Sequence, residues 1–325
     1  MQRSLCAIAV LLTALLVGAA RAEGAAPVSA AGRALAVTVD DLPFVRIDQF
    51  DKEQLDQGFT RLLSALTEAG VEAVGFVNER KLYRKEQLDD SRVALLQQWL
   101  DAGMELGNHT YSHLSLNAVG TATFEADILH GEHLSRQLMK ASGKELRYFR
   151  YPFLHLGRDL QSRREVERFL HKHGYTIAPV TILGQEWQFA AAYDNAISKK
   201  DAAMGRRIGQ SYIEHMGQAI VHAEKLANDM FGHNISQVLL LHANMLNADY
   251  FPLLASQIRQ RGYRFAPLGE VLRDPAYRTP DTYTDSSGES RLYHWLMSFG
   301  IRPEDGPACP DFVKEQAGNN SYNGD

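Results

Sequence analysis

Cysteine is nearly absent from this 325-residue chain, which has only Cys6 and Cys309. Cys6 lies in an apolar N-terminal stretch with the features of a cleaved leader, so we expect the mature chain to keep one cysteine. An intramolecular disulfide and a zinc site made of cysteines alone are therefore excluded for the mature chain. A chain of this size can fold without a disulfide because its core is large.

The chain also lacks an excess of positive charge. It has 34 Lys and Arg residues against 39 Asp and Glu residues, a formal net charge of −5 at pH 7. Proteins that bind nucleic acid usually carry a basic surface, and no basic amphipathic helix or long charge run is present. Nucleic acid is therefore not an expected partner.

Long apolar runs are missing beyond the N-terminus. Arg3 precedes the short apolar stretch LCAIAVLLTALLVGAA, and Ala20 to Ala22 form ARA, a small-x-small cleavage pattern. These features indicate a secretory signal peptide over residues 1–22. A membrane anchor is the alternative, but the apolar core is short for a span of ~20 residues. We expect an exported bacterial protein, periplasmic or secreted, with no stable membrane span after cleavage.

Strand-like and helix-like segments alternate from residue 34 onward. Small residues over 23–33 indicate a linker, and residues 275–325 form an extension whose stretch SRLYHWLMSFG predicts a helix. Alternation of this kind predicts a parallel sheet, either open and doubly wound or closed as a barrel. The seven strand-like runs are ALAVTVD, AVGFVN, MELGNHT, RYFRYPF, YTIAPVTIL, QVLLLH and YRFAPL. Helix-like segments cover residues 51–70, 91–103, 121–141, 160–173, 199–231 and 249–261.

Polar residues stand at the ends of several predicted strands. In both architectures the carboxyl ends of parallel strands gather the functional residues at one edge. Hydrophobic patterning does not require titratable groups at these positions. The residues concerned are Asp40, Asp41, His109, His113, Arg150, Glu186 and His242.

His109 and His113 form a His-x-x-x-His pair, a spacing of one helical turn that would place both imidazoles on one face. With one carboxylate from Asp40 or Asp41 they make a three-ligand metal site with a position open for water. Nitrogen-rich ligation favours Zn²⁺, and Co²⁺, Ni²⁺ and Mn²⁺ stay open as alternatives.

The aspartate that does not bind the metal would stand beside the attacking water. It can accept a proton from that water as a general base. His242 is the candidate general acid, since an unperturbed histidine pKa of ~6.5 suits the task. Arg150 can pair with the basic carboxylate and orient it, and Glu186 can in turn hold Arg150.

The segments TVDDLP, HTYSH, RYPF, EW and LLLH, in this order, resemble the five sequence blocks of the polysaccharide deacetylases, the NodB-like carbohydrate esterase family four. The resemblance extends from residue 34 to about 270 and makes residues 34–274 the catalytic domain. It implies an α/β fold, a distorted (β/α) barrel with about seven parallel strands. It also implies one divalent metal, usually zinc, and hydrolysis of N- or O-acetyl groups of a polysaccharide or oligosaccharide.

The family motif assigns the acids and the histidines. Asp40, the first acid of the pair, matches the general base. Asp41 matches the metal ligand, together with His109 and His113. His242 matches the general acid.

The same resemblance assigns the residues around the substrate. Arg150 matches the arginine that orients the base, and the main-chain N–H of Phe153 matches the group that stabilises the oxyanion. Trp187 and Leu240 match positions that line the pocket of the acetyl methyl group. Apart from the resemblance, Trp187, Tyr151 and Tyr111 offer aromatic faces on which a sugar, or another flat or apolar substrate, can stack.

Two positions depart from the family pattern. Leu42 stands where the first block usually has glycine, and a side chain there is expected to narrow the cleft. Glu186 stands where the fourth block usually has aspartate, and its extra methylene would change how Arg150 is held. Both departures concern substrate and rate more than the type of reaction.

Two other functions fit the same residues. The site could act on an amide of a small non-sugar molecule, or the chain could bind a glycan without turning it over, since fold alone does not establish catalysis. The sequence leaves open which glycan is the substrate, which metal is used in the cell and the oligomeric state.

Overall fold

A computed structural model describes residues 33–318. The predicted signal peptide, Cys6 and residues 23–32 of the predicted linker lie outside the described residues. No helix in the described range is long and apolar enough to cross a membrane.

Seven of the strands in the described range form one parallel sheet, and each overlaps one of the seven predicted runs. The first strand is buried on both faces, as expected for the centre of a parallel sheet. The short strands β3 (Tyr83–Arg84) and β4 (Gln87–Leu88) form a separate antiparallel hairpin. The parallel strands are β1 (Arg33–Leu42), β2 (Val74–Val77), β5 (Glu105–Asn108), β6 (Tyr148–Phe149), β7 (Thr176–Ile177), β8 (Gln237–His242) and β9 (Tyr263–Phe265).

The sheet closes on itself. Its order is β7-β6-β5-β2-β1-β8, with β9 beside the first residues of β1. Beyond β7, the backbone N–H groups of Thr181 and Ile182 donate to the carbonyl of Val238 in β8, each at 3.0 Å. The N–H of Leu240 donates back to the carbonyl of Ile182 (3.2 Å). The predicted distorted (β/α) barrel is thus confirmed, and the open sheet is not adopted.

Helices cover the outside of the barrel. The helix α1 begins with a capping box in which the Asp51 carboxylate accepts from the N–H of Gln54, an arrangement that satisfies backbone donors at a helix start. The helices are α1 (Lys52–Glu68), α2 (Asp90–Asp101), α3 (Thr121–His130), α4 (His133–Ala141), α5 (Leu160–Lys172), α6 (Glu186–Ser198), α7 (Ala202–Phe231), α8 (Met245–Gln260), α9 (Leu268–Val271), α10 (Arg291–Ser298) and α11 (Asp311–Ala317).

The helix α6 is absent from the sequence prediction. It is mostly buried and rich in alanine, so it shows none of the alternation of apolar and polar faces that marks a surface helix.

The C-terminal region packs on the barrel. The helix α11 lies against α6, and α10 lies against α7. Arg163 of α5 forms an ion pair with Asp281 (2.9 Å), and the N–H of Arg291 donates to the carbonyl of Val180 (2.6 Å). The helix predicted from SRLYHWLMSFG is α10, and these residues join the same compact unit as the barrel.

Candidate metal centre and catalytic residues

Asp40 and Asp41 lie near the end of β1, which continues to Leu42, and both are buried, at 3% exposure each. Successive side chains of a regular strand point to opposite faces, but here Asp41 has a left-handed backbone (φ 67°). The register of β1 against β2 also shifts between Val39 and Leu42. This break in the strand lets two adjacent carboxylates serve one cavity.

His109 and His113 follow β5 on an irregular loop, so the expected helical turn is wrong. Thr110 and His113 have positive φ angles, 64° and 57°. The N–H of Thr110 donates to Oδ1 of Asn108 (2.7 Å). Backbone conformation of this kind is read poorly from sequence, because a fixed spacing of two histidines fits a helix and a coiled loop equally well.

The predicted helix 121–141 is divided into α3 and α4 near Gly131, which lies against the loop that carries the two histidines. A Cβ atom at Gly131 would lie 2.3 Å from the backbone of Thr110 and of Tyr111. Any side chain at Gly131 would therefore push the loop that carries both histidines.

Asp41, His109 and His113 converge, with their ligand atoms within 4.8 Å of one another. Nε2 of His113 lies 3.6 Å from Oδ1 of Asp41, and Nε2 of His109 lies 4.0 Å from it. These gaps suit one ion, since metal–nitrogen and metal–oxygen bonds are about 2.0–2.2 Å long. Nδ1–H of His109 donates to the carbonyl of Arg150 (2.8 Å), which leaves Nε2 free to bind a metal, as metal-bound histidines usually do.

Lys81 is a member of the site that sequence reasoning missed. Its Nζ lies 3.5 Å from Oδ1 of Asp41, and its side chain is 10% exposed. Burial tends to raise the pKa of Asp41, but Lys81 and the two histidines outweigh it and hold that pKa well below its usual range. The feature of the sequence that could have indicated Lys81 is its position just after the end of β2.

Asp40 lies between Arg150 and His109. Its Oδ2 is 3.6 Å from Nη1 of Arg150 and 3.7 Å from Nε2 of His109. Arg150 is completely buried, and its Nη2 donates to Oγ1 of Thr38 (2.9 Å). Burial raises the pKa of Asp40 to about 6, and Arg150 limits that rise. The expected pairing of Arg150 with Asp40 is present in the structure.

Glu186 contacts His242 rather than Arg150, so its expected partner is corrected. Nδ1–H of His242 donates to Oε2 of Glu186 (2.7 Å). Side-chain amides of Asn244 and Asn247 donate to the other oxygen of Glu186. Burial lowers the pKa of His242, but the Glu186 carboxylate outweighs burial and raises it to about 9. The contact with Glu186 therefore favours the protonated imidazole.

One cavity of about 380 Å³ is lined by the two aspartates, the three histidines and Glu186. Its volume lies within the ~300–1,000 Å³ typical of ligand sites. Phe153 lines it with a left-handed backbone (φ 58°). Trp187 and Leu240 line it as well. The cavity lining comprises Asp40, Asp41, His109, His113, Phe153, Leu154, Leu183, Gly184, Gln185, Glu186, Trp187, Leu240, His242, Gly288 and Glu289.

Tyr151 does not line this cavity, so its predicted stacking on a sugar is not supported. It is 2% exposed. Its ring stacks on Phe124 at 5.9 Å and meets Phe149 edge-on at 5.1 Å. Tyr151 therefore belongs to the core.

Leu42 does not narrow the cleft either. It is fully buried and is not among the cavity-lining residues. It packs where Gly75 has no side chain, since a Cβ at Gly75 would lie 2.2 Å from Cδ1 of Leu42. The expectation drawn from this departure is therefore wrong.

Comparison with known families gives one match. Residues 28–178 match the family model for polysaccharide deacetylase, a range that holds Asp40, Asp41, both histidines and Arg150. Glu186, Trp187 and His242 lie beyond it. The resemblance first noted in the sequence is confirmed. No curated protein matches the chain.

Several solved structures are distantly similar. A family 4 carbohydrate esterase from Streptomyces lividans, in complex with acetate, is 19% identical, with 72% of this chain and 92% of that chain covered and a TM-score of 0.46. A family 4 acetyl xylan esterase from Clostridium thermocellum, in complex with cobalt, is 17% identical, with 74% and 91% covered and a TM-score of 0.47. A CE4 family pseudoenzyme from Bacillus anthracis is 14% identical, with 75% and 66% covered and a TM-score of 0.48.

Proposed function

This chain carries a polysaccharide deacetylase domain, and from that premise we propose that it is an exported, metal-dependent deacetylase that hydrolyses N- or O-acetyl groups of a glycan. One observation carries the proposal. A three-ligand cluster shares a single cavity with the buried Asp40 carboxylate and with the His242 imidazole, whose Nδ1–H is held by Glu186.

Asp41, His109 and His113 would hold a divalent ion, with Zn²⁺ favoured by two nitrogen ligands and Co²⁺, Ni²⁺ and Mn²⁺ as alternatives. Such an ion polarises an acyl carbonyl and lowers the pKa of water. All three ligand residues are buried.

Asp40 acts as the general base and takes a proton from the attacking water. Its carboxylate is held by Arg150 from the interior of the barrel. Because Arg150 is itself tied to Thr38, the charge that orients Asp40 is fixed in place. This arrangement supplies the preorganisation that proton transfer requires.

His242 acts as the general acid and protonates the leaving nitrogen or oxygen. Glu186 holds its Nδ1–H, so Nε2–H is the proton available to the substrate. Glu186 therefore acts through His242 as a positioning residue. Phe153 supplies a main-chain N–H toward the oxyanion, and Trp187 and Leu240 enclose the acetyl methyl group beside it.

An acetate-release screen of the mature, metal-loaded protein tests this function. We expect release from at least one of two substrates, N-acetylglucosamine oligomers or acetylated xylan. Binding of a glycan without release would favour a non-catalytic role. Activity confined to small non-sugar amides would favour an amidase. Either result would overturn the proposal.

The contact between Glu186 and His242 predicts a change in pH dependence. The acid must be protonated, so activity is present below the pKa of His242, about 9, and is lost above it. In Glu186→Gln the carboxylate that raises this pKa is gone, and the alkaline limb of kcat/KM should move down by roughly 1–3 units.

A pH profile of wild type, Glu186→Gln and the surface control Glu72→Gln measures this shift. The control should match wild type, because Glu72 is exposed. An unchanged alkaline limb together with a displaced acid limb would instead indicate that Glu186 acts on the pair formed by Arg150 and Asp40.

A further inference from the structure

Part of the C-terminal region forms a wall of the catalytic cavity. Gly288 and Glu289, which precede α10, line it together with Phe153 and Leu154. A Cβ at Gly288 would lie 1.8 Å from the carbonyl oxygen of Phe153. The backbone of this segment thus touches the backbone that carries the proposed oxyanion donor.

The wall is anchored on both sides of Glu289. After it, Ser290 caps α10, and the N–H of Arg291 donates to the carbonyl of Val180 in the barrel (2.6 Å). Before it, Arg163 of α5 donates to the carbonyl of Tyr283 (2.9 Å). A side chain placed on such a segment has a defined position in the cavity.

Glu289 brings a negative charge with little compensation. Within residues 33–318, the neighbouring basic groups pair with other carboxylates: Arg163 and Arg291 with Asp281, and His294 with Asp281 and Asp285. The charged groups that act on Glu289 most are the carboxylates of Asp285 and Asp305 and the imidazole of His294. The hydroxyl of Ser287 donates to Asp285 (3.3 Å). Burial, followed by repulsion from Asp285, raises the pKa of Glu289. A cation bound beside Glu289 would offset both the cost of burying its charge and the repulsion from Asp285.

We propose that Glu289 binds a free amino group of the substrate. The substrate class is then a partially deacetylated oligomer of N-acetylhexosamine, in which a glucosamine ammonium lies next to the acetylated unit that reacts. This inference rests on the proposed deacetylase function and names the glycan for it. Ammonium and carboxylate form a charge-assisted hydrogen bond that a neutral acetamide cannot form.

Two tetramers of N-acetylglucosamine serve as probes, one fully acetylated and one with a single free amine. We expect wild type to show a higher kcat/KM on the amine-bearing tetramer. Glu289→Gln, which keeps the shape and removes the charge, should lower kcat/KM on that tetramer by about tenfold. It should leave the fully acetylated tetramer within about twofold. The preference of wild type should also shrink as salt rises.

Glu304→Gln is the matched control, since Glu304 belongs to the same region and its side chain is 74% exposed. Glu289→Asp should retain part of the preference. Equal losses on both tetramers in Glu289→Gln would assign Glu289 to neutral hydroxyl groups and overturn the inference, as would a wild-type preference for the fully acetylated tetramer. Failure of wild type to release acetate from any glycan would overturn the proposed function instead.

Discussion

Replacing Asp40 with asparagine is expected to lower kcat for acetate release by about 10²–10⁴-fold, the usual contribution of a general base. Asparagine has nearly the same shape, so it keeps the packing around this buried position. It has no basic oxygen, however, and cannot take the proton from water. Acetate release under substrate saturation measures the loss directly.

Metal content separates this role from ligation. Asp40→Asn should bind the same amount of metal as wild type, because Asp41, His109 and His113 remain. If the variant lost its metal, Asp40 would be a ligand. If it kept full activity on every active substrate, another group would be the base.

The pH profile supplies an independent test of Asp40. A base must be deprotonated, so activity rises with pH through its pKa. Burial raises that pKa to about 6 in the protein without metal, and a nearby divalent cation shifts it downward. The acid limb of wild type is therefore expected at or below pH 6, and Asp40→Asn should remove it.

Replacing Asp41 with alanine is expected to abolish tight metal binding and to lower acetate release by at least about 10³-fold, because the several kcal/mol that a metal supplies to the transition state are lost. The change also removes the only carboxylate of the ligand cluster. Titration with Zn²⁺ followed by calorimetry measures binding apart from activity.

Two comparisons complete this test. Wild type treated with a chelator should lose activity and regain it on adding Zn²⁺, Co²⁺, Ni²⁺ or Mn²⁺, which also ranks the metals. Asp249→Asn is a distant control, since Asp249 pairs with Arg61 outside the cavity. Full activity of chelated wild type or of metal-free Asp41→Ala would contradict a metal-dependent reaction.

The ligand cluster was predictable because its geometry follows from topology. In parallel sheets the carboxyl ends of the strands lie at one edge, so Asp41 near the end of β1 and the histidines after β5, two strands away, lie at the same edge. The alternation of strands and helices predicted a parallel sheet. The order of the five family-like sequence blocks then favoured a barrel over an open sheet.

Contacts between long side chains were not predictable in the same way. The expected partner of Glu186 was Arg150, but α6 starts at Glu186 and places its carboxylate beside His242, Asn244 and Asn247. A helix that the sequence pattern did not reveal therefore changed the partner. Tyr151 was misassigned for a related reason. The sequence motif RYPF does not show whether its tyrosine faces the cavity or the core, and in the structure it faces the core.

The amino-acid sequence by itself determined the seven parallel strands, the residue types at their ends and the two aspartates, two histidines and arginine of the site, because hydrophobic periodicity and strand-end position are local properties of the chain. The tertiary structure alone decided which of these side chains touch. It brought Lys81 against Asp41, joined Glu186 to His242, turned Leu42 into the core and placed Glu289 in the cavity wall. These contacts join residues far apart in the chain, and their geometry depends on packing and on left-handed backbone at single residues such as Asp41, neither of which a local pattern contains.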